Sequence, residues 1–91
     1  MKFAFDPGKD ASNQEKHGLS LAAVEQGDWT AAFIALDDRW DYGEFRWYAY
    51  LPIKGRVHVA VYTERDDVIW MISLRRANPR EVRKYDELRT V

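Results

Sequence analysis

The chain has 91 residues, of which 46% are hydrophobic, and its formal net charge is −1 at pH 7. These values suit one globular domain spanning residues 1–91, and the lack of any run of roughly 18 apolar residues predicts a cytoplasmic protein without membrane contact. The absence of cysteine excludes disulfides, thiolate nucleophiles and cysteine-ligated zinc, and two separate histidines are too few for a histidine cluster. We therefore expect neither a metal nor a cofactor.

The N-terminal third predicts a strand followed by a helical pair. Residues 2–5 are typical of a short strand. Asp6 then offers a side-chain N-cap, and Pro7 suits the first helical position because its missing N–H costs nothing there. The first helix is expected over residues 7–17, and a second short helix over residues 20–27 completes the pair.

The rest of the chain predicts a sheet and one more helix. The expected strands cover residues 31–36, 44–53, 56–64 and 68–75. The connections after residues 53 and 64 have lengths typical of β-hairpins, which favours a meander that is antiparallel throughout. A capping pattern at Asn78 to Glu81 opens the C-terminal helix. The predicted class is a compact α+β domain with an antiparallel sheet.

Alternation along the strands predicts that one face of the sheet is apolar and that the other combines polar, charged and aromatic residues. The expected core-facing residues are Phe45, Trp47, Ala49, Leu51, Val57, Val59 and Val61. The opposite face is expected to carry Arg46, Tyr48, Tyr50, His58, Tyr62, Ile69, Met71, Ser73 and Arg75. Interleaved aromatic and cationic side chains suit single-stranded RNA, since rings stack on bases and guanidinium groups hold phosphates. Cross-strand aromatic pairs also stabilise any sheet, so both interpretations stay open.

Two cationic sets stand out at helical spacing. In the first helix, Lys9, Asn13, Lys16 and His17 share one face. That helix offers so little apolar surface that polar contacts or a bound partner must hold it. The second set follows the last strand and comprises Arg75, Arg76, Arg80, Arg83 and Lys84. Each set is either a phosphate-binding surface or an ordinary solvated helix face. Residues 28–44 are by contrast acidic, with Arg39 as their one cation.

Two runs of residues resemble the signatures of a known family. The first run is Phe5-Asp6-Pro7-Gly8-Lys9, Asn13, Lys16-His17-Gly18 and Ser20. The second is Tyr62-Thr63-Glu64-Arg65, Ile72-Ser73, Arg75-Arg76-Ala77, Glu81 and Tyr85. Their order and separation are similar to those of BrnT toxins, and the resemblance spans nearly the whole chain. The departures are Phe5 in place of Trp, Leu21 in place of Phe, and Trp70 where the family commonly has Arg.

The resemblance implies a RelE-like fold and a type II toxin that inhibits translation by cleaving RNA. It further implies a ribbon-helix-helix antitoxin, similar to BrnA, that binds and silences the toxin. Operator DNA would then be bound only through the toxin–antitoxin complex.

Metal-free RNA cleavage defines the groups that such a site needs. The 2′-hydroxyl attacks the adjacent phosphate in line, with a base for its proton, an acid for the leaving oxygen and cations for the developing charge. The expected catalytic residues are His17, Lys16, Lys9, Arg75, Arg76 and Glu81. Imidazole suits acid–base work near neutral pH, the lysines bind phosphate or act as acids, and the arginines stabilise charge. Glu81 is either a base or a partner that orients an arginine.

A second group of residues is expected to bind the RNA without taking part in the chemistry. It comprises Arg46, Tyr48, Tyr50, Tyr62, Arg65, Arg80, Arg83 and Tyr85. Two rival functions stay open beside the ribonuclease. One is an inactive toxin homologue that only binds its antitoxin, which Trp70 and the acidic segment favour. The other is an α+β domain whose aromatic sheet face binds a small molecule.

Overall fold

The structure is a computed structural model that describes residues 1–90. Within this range the strands form one mixed sheet in the order β1-β5-β4-β3-β2. The strands are β1 (Lys2–Phe5), β2 (Phe33–Asp37), β3 (Arg46–Ile53), β4 (Arg56–Arg65) and β5 (Val68–Arg76). The α-helices are α1 (Pro7–His17) and α2 (Pro79–Arg89), and 3₁₀ helices cover Leu21–Gln26 and Trp29–Ala31. None of the helices within residues 1–90 has the length and apolar character to cross a membrane.

The predicted α+β class is confirmed, but the sheet is not antiparallel throughout. Strands β2 to β5 form the expected antiparallel meander. Strand β1 instead runs parallel to β5, with Phe5 opposite Met71. Hairpins enforce antiparallel pairing only between consecutive strands, and β1 reaches β5 through no hairpin. The second member of the predicted helical pair is the 3₁₀ helix Leu21–Gln26.

The predicted inward face of β4 is wrong by one residue. Ala49 of β3 lies opposite Ala60, and Leu51 lies opposite His58. Because paired residues in a sheet share a face, Ala60, His58 and Tyr62 point to the core side instead of the three valines. Phe45 was also expected in the core, but it precedes β3 and is 73% exposed.

A β-bulge divides β5 between the two faces. Val61 pairs with Ser73 and Tyr62 pairs with Met71, which leaves Ile72 without a partner on β4. The expectation that Ile69, Met71, Ser73 and Arg75 share one face is therefore wrong, since Ile69 and Met71 belong to the core. We call the other side of the sheet the open face; it carries Tyr48, Tyr50, Val59, Val61, Ser73 and Arg75.

The core lies between the sheet and the 3₁₀ helix Leu21–Gln26. Its fully buried side chains include Leu21 and Val24 from that helix and Leu51, Met71 and Leu74 from the strands. Burial of each such aliphatic side chain contributes about 1.5–3 kcal/mol. The core thus belongs to one side of the sheet.

Polar contacts hold α1 at the free edge of β5, beyond the end of β1. The Asn13 amide donates to the carbonyl oxygens of Leu74 (2.8 Å) and Leu19 (2.9 Å), and its oxygen accepts from the Leu74 N–H (3.0 Å). Asp10 accepts from the Leu21 N–H at 2.7 Å and from the Ser20 hydroxyl at 3.0 Å. Of the two expected supports for this helix, polar contacts to the domain or a bound partner, the structure shows the polar contacts.

Replacing Asn13 with Ala should lower the free energy of unfolding, because the buried N–H and C=O of Leu74 both lose their partner, at about 1–3 kcal/mol per group. Asn13→Asp should be worse, since a carboxylate would face two carbonyl oxygens. Urea denaturation measures both effects, with Glu15→Ala on the exposed side of α1 as the control. An Asn13→Ala protein as stable as the control would contradict this role.

Candidate active site

A cleft of about 530 Å³ lies on the open face and reaches the loop between β2 and β3. Tyr48, Tyr50, Val59 and Val61 line it from the central strands. Its charged lining residues are Asp37, Asp38, Arg39, Arg46, Arg75 and Glu81. We call this the central cleft. It combines aromatic rings, cations and carboxylates, as a site for a polar and partly aromatic ligand requires.

Arg75 is held at the cleft by the start of α2. Its two terminal nitrogens donate to the two oxygens of Glu81 at 2.7 and 2.8 Å. Glu81 also accepts from the N–H of Asn78, whose side chain accepts from the Glu81 N–H, so the same carboxylate completes a capping box. Hydrogen bonds from Arg75 are the main cause that lowers the pKa of Glu81. Nη1 also donates to the carbonyl oxygen of Arg76 at 3.3 Å, so these contacts fix the direction of the guanidinium and leave its Nε for another partner.

The polar face of α1 borders a second depression that adjoins the central cleft. Lys9, Lys16 and His17 line it and are exposed. It shares Ile72 and Ser73 with the central cleft, because the bulge in β5 brings both residues to the open face. The structure therefore places the cations and imidazole of α1 along one continuous surface with Arg75.

A third depression connects Lys9 with the β3 side of the open face. Arg46 and Arg65 line it together with Trp70. The guanidinium of Arg46 lies 4.0 Å from the centre of the Tyr42 ring, and its buried Nε has no hydrogen-bond partner among residues 1–90. Arg65 donates to both oxygens of Glu44, at 2.7 and 2.8 Å. Arg46 belongs to this depression and to the central cleft.

Other predicted site residues lie elsewhere. Arg76 pairs with His58 and lines a depression on the core side of the sheet, next to Leu19. Tyr62 is buried in the core, where burial raises its pKa to about 12 and its ring packs edge-on against Trp29. These residues do not join Arg75 on the open face.

The three α2 residues predicted to bind RNA, unlike Glu81, stay apart from the central cleft. Tyr85 is buried and donates to the carbonyl oxygen of Ala31 at 2.7 Å, which ties α2 to the segment before β2. Arg80 and Arg83 are exposed on α2 and line none of the depressions described above.

The central cleft also contains residues that the sequence did not predict. Arg39 and Tyr42 come from the loop after β2, and both contact the carboxylate of Asp37. In sequence, Arg39 appears only as one cation among carboxylates. The one usable signal is the Asp-x-Arg spacing at the end of a strand, where neighbouring side chains of opposite charge pair readily.

The polar groups of the site are imidazole, ammonium, guanidinium, carboxylate and phenol. Across residues 1–90 no group of three or more His, Asp or Glu side chains is arranged to hold a metal ion.

Comparison with known families shows which family the chain belongs to. A model described as the ribonuclease toxin BrnT of a type II toxin–antitoxin system matches residues 5–81. The chain belongs to the BrnT family. The resemblance found in the sequence is thereby confirmed, and the match ends at Glu81, the partner of Arg75. A comparison with curated proteins gave no match.

BrnT membership gives the chain its broad function. It is a ribonuclease toxin of a type II toxin–antitoxin system, so its substrate is RNA and its partner is an antitoxin.

Replacing Glu81 with Gln should show how much the ion pair with Arg75 stabilises the fold, because that stabilisation depends on pH. The folded pKa of Glu81 lies below its ordinary value of 4.5, so the stabilisation is present above pH 4.5 and is lost as pH falls through the folded pKa. The wild type should be more stable than Glu81→Gln at pH 7, and the difference should shrink below pH 4.5. Urea denaturation at several pH values measures it.

Glu87→Gln, an exposed change on the same helix, is the matched control. A gap between wild type and Glu81→Gln that stays constant from pH 7 to pH 3 would show that the ion pair with Arg75 is not its source.

Proposed function

We propose that this BrnT toxin is a metal-independent endoribonuclease that cleaves single-stranded RNA on the open face. The observation that carries the proposal is the shared surface of α1 and β5: the depression of Lys9, Lys16 and His17 adjoins the central cleft of Arg75 at Ile72 and Ser73. Acid–base groups and a charge-stabilising guanidinium thus border one path for an RNA strand.

In the proposed reaction the 2′-oxygen of the RNA attacks the adjacent phosphorus and the bond to the 5′-oxygen breaks. His17 accepts the 2′-hydroxyl proton, one lysine ammonium of α1 donates a proton to the leaving 5′-oxygen, and the other lysine binds phosphate. Arg75 stabilises the charge that develops on the phosphate oxygens. Glu81 acts as a positioning residue for Arg75, since its oxygens are already engaged by Arg75 and by the Asn78 N–H.

The central strands supply the proposed RNA-binding surface. Tyr48 and Tyr50 are partly exposed neighbours with ring centres 5.7 Å apart, and Tyr50 stacks on Phe33 at 6.2 Å. Rings in this setting offer stacking platforms for unpaired bases. Arg46 and Arg65 border the path towards Lys9 and would contact phosphates outside the reacting bond. The placement of Arg76, Tyr62 and Tyr85 leaves these three outside the proposal.

The proposal extends to the fold relationship and the antitoxin. We propose that the meander of β2 to β5 with its helices is a RelE-like arrangement, and that the antitoxin is a ribbon-helix-helix protein similar to BrnA. Both rest on the resemblance of the two sequence signatures. Operator binding would then require the complex, and the antitoxin would silence the ribonuclease.

Alanine variants of Arg75, His17 and the neighbouring Arg76 test whether the open face cleaves the RNA. Arg75→Ala and His17→Ala should each slow RNA cleavage by about 10²–10³-fold, the usual cost of removing a transition-state charge partner or an acid–base group. Arg76→Ala should cleave like the wild type, because Arg76 lies on the core side of the sheet. Arg75→Lys, which keeps the charge but not the paired hydrogen bonds, serves if Arg75→Ala folds poorly, with circular dichroism as the check.

Equal loss in the Arg75 and Arg76 variants would contradict the assignment to the open face. If the folded wild type binds the antitoxin but leaves RNA intact at every concentration, the chain is an antitoxin-binding module instead.

The chemistry of the products tests metal independence. Cleavage should persist in EDTA and yield a 2′,3′-cyclic phosphate and a 5′-hydroxyl, because the attacking group is the RNA's own 2′-oxygen. RNA with a single 2′-deoxy substitution should resist cleavage at that position. Products with a 5′-phosphate, formed only when divalent metal is added, would point to a metal-activated water and overturn this mechanism.

A further inference from the structure

The loop between β2 and β3 brings an unexpected cation to the central cleft. Asp37, the last residue of β2, has a side chain that is only 2% exposed. Its carboxylate accepts from Arg39 at 2.9 Å (Nε) and 3.0 Å (Nη2), and from the Tyr42 hydroxyl at 3.3 Å. The Arg39 side chain itself is 73% exposed. A nearly buried carboxylate thus holds an exposed guanidinium in one geometry.

The Asp37 carboxylate positions several side chains that line the cleft. The hydrogen bonds from Arg39 are the first cause that lowers the pKa of Asp37, so the carboxylate stays ionised when most of it is removed from water. Tyr42 shares the carboxylate and places its ring 4.0 Å from the Arg46 guanidinium. Asp37 therefore sets the position of Arg39 directly and that of Arg46 through Tyr42.

Arg39 and Arg75 both line the central cleft, and each is bound in two places to one carboxylate. The Glu81 hydrogen bonds are the first cause that raises the pKa of Arg75, and the positive charge of Arg39 is the last cause and acts in the opposite direction. Each keeps unused N–H donors: Nη1 of Arg39, and Nε of Arg75. An anion in the cleft can therefore accept hydrogen bonds from two guanidinium groups that their own carboxylates already hold in position.

We propose that Arg39 and Arg75 together bind one phosphodiester group of single-stranded RNA, with Asp37 as the positioning residue for Arg39. This inference rests on the proposed ribonuclease function and adds a binding group from a segment whose remaining charges are acidic. The cleft volume of about 530 Å³ suits a nucleotide, with its base against Tyr48 or Tyr50 and its phosphate between the guanidinium groups.

Salt-dependent binding tests the inference without cleavage. The probe is a fluorescent single-stranded RNA with 2′-O-methyl groups, which cannot supply the attacking hydroxyl. Arg39→Ala should weaken binding about fivefold and lower the slope of log affinity against log salt by about 1, since one phosphate contact is lost. Arg39→Lys should keep the wild-type slope because it keeps the charge. Arg56→Ala, an exposed cation on the core-side depression, should behave like the wild type.

Asp37→Asn tests the positioning role, because the amide loses the charge that orients Arg39 while the Arg39 cation remains. Its salt slope should stay near the wild-type value with weaker affinity, and cleavage of ordinary RNA should show a raised KM with kcat nearly unchanged. A large fall in kcat in folded Asp37→Asn or Arg39→Ala would place these residues in the chemistry and overturn a binding-only role.

The outcomes separate this inference from the proposed function. If Arg75→Ala weakens RNA binding but Arg39→Ala matches the Arg56→Ala control, the phosphate site between the two arginines is refuted and the ribonuclease proposal stands. If the folded wild type binds no RNA at any salt concentration, both are refuted.

Discussion

The side chain of Asn13 continues the sheet where β1 ends. β1 stops at Phe5, opposite Met71, while β5 runs on to Arg76. The edge groups of Leu74 would be left without partners there, and the Asn13 amide supplies a donor and an acceptor just as a neighbouring strand would. A helix with little apolar surface is thereby fixed along β5. Its exposed Lys9, Lys16 and His17 consequently face the open side of the sheet beside Ser73.

The bulge at Ile72 determines which of two adjacent arginines reaches the central cleft. If all residues of β5 alternated regularly from Met71 in the core, Arg75 would point to the core side and Arg76 to the open face. With the bulge, Arg75 meets Glu81 at the start of α2, and Arg76 lies beside His58 on the other side. One inserted residue thus links the register of the sheet to the electrostatics of the site.

The helices could be predicted from residues that are close together in the chain. The sheet could be predicted only in part, because its faces depend on how the strands pair. Asp6 and Asn78 cap α1 and α2 as their sequence contexts indicate, since capping depends on residues close in the chain. The faces of β4 depend on its register with β3, and those of β5 depend on the bulge. Alternation along the sequence settles neither. Arg39 was missed for a related reason. The sequence does not show that Asp37 is buried at the end of β2, where its carboxylate binds Arg39 and holds it at the cleft.

We expect RNA to lie on the open face, between α1 and the loop after β2. Photocrosslinking of a 2′-O-methyl RNA that carries a photoreactive base, mapped by mass spectrometry, tests it directly. Crosslinks are expected at Tyr48, Tyr50 or the exposed residues of α1. Crosslinks concentrated around Arg76, His58 and the 3₁₀ helix Leu21–Gln26, with none on the open face, would contradict it.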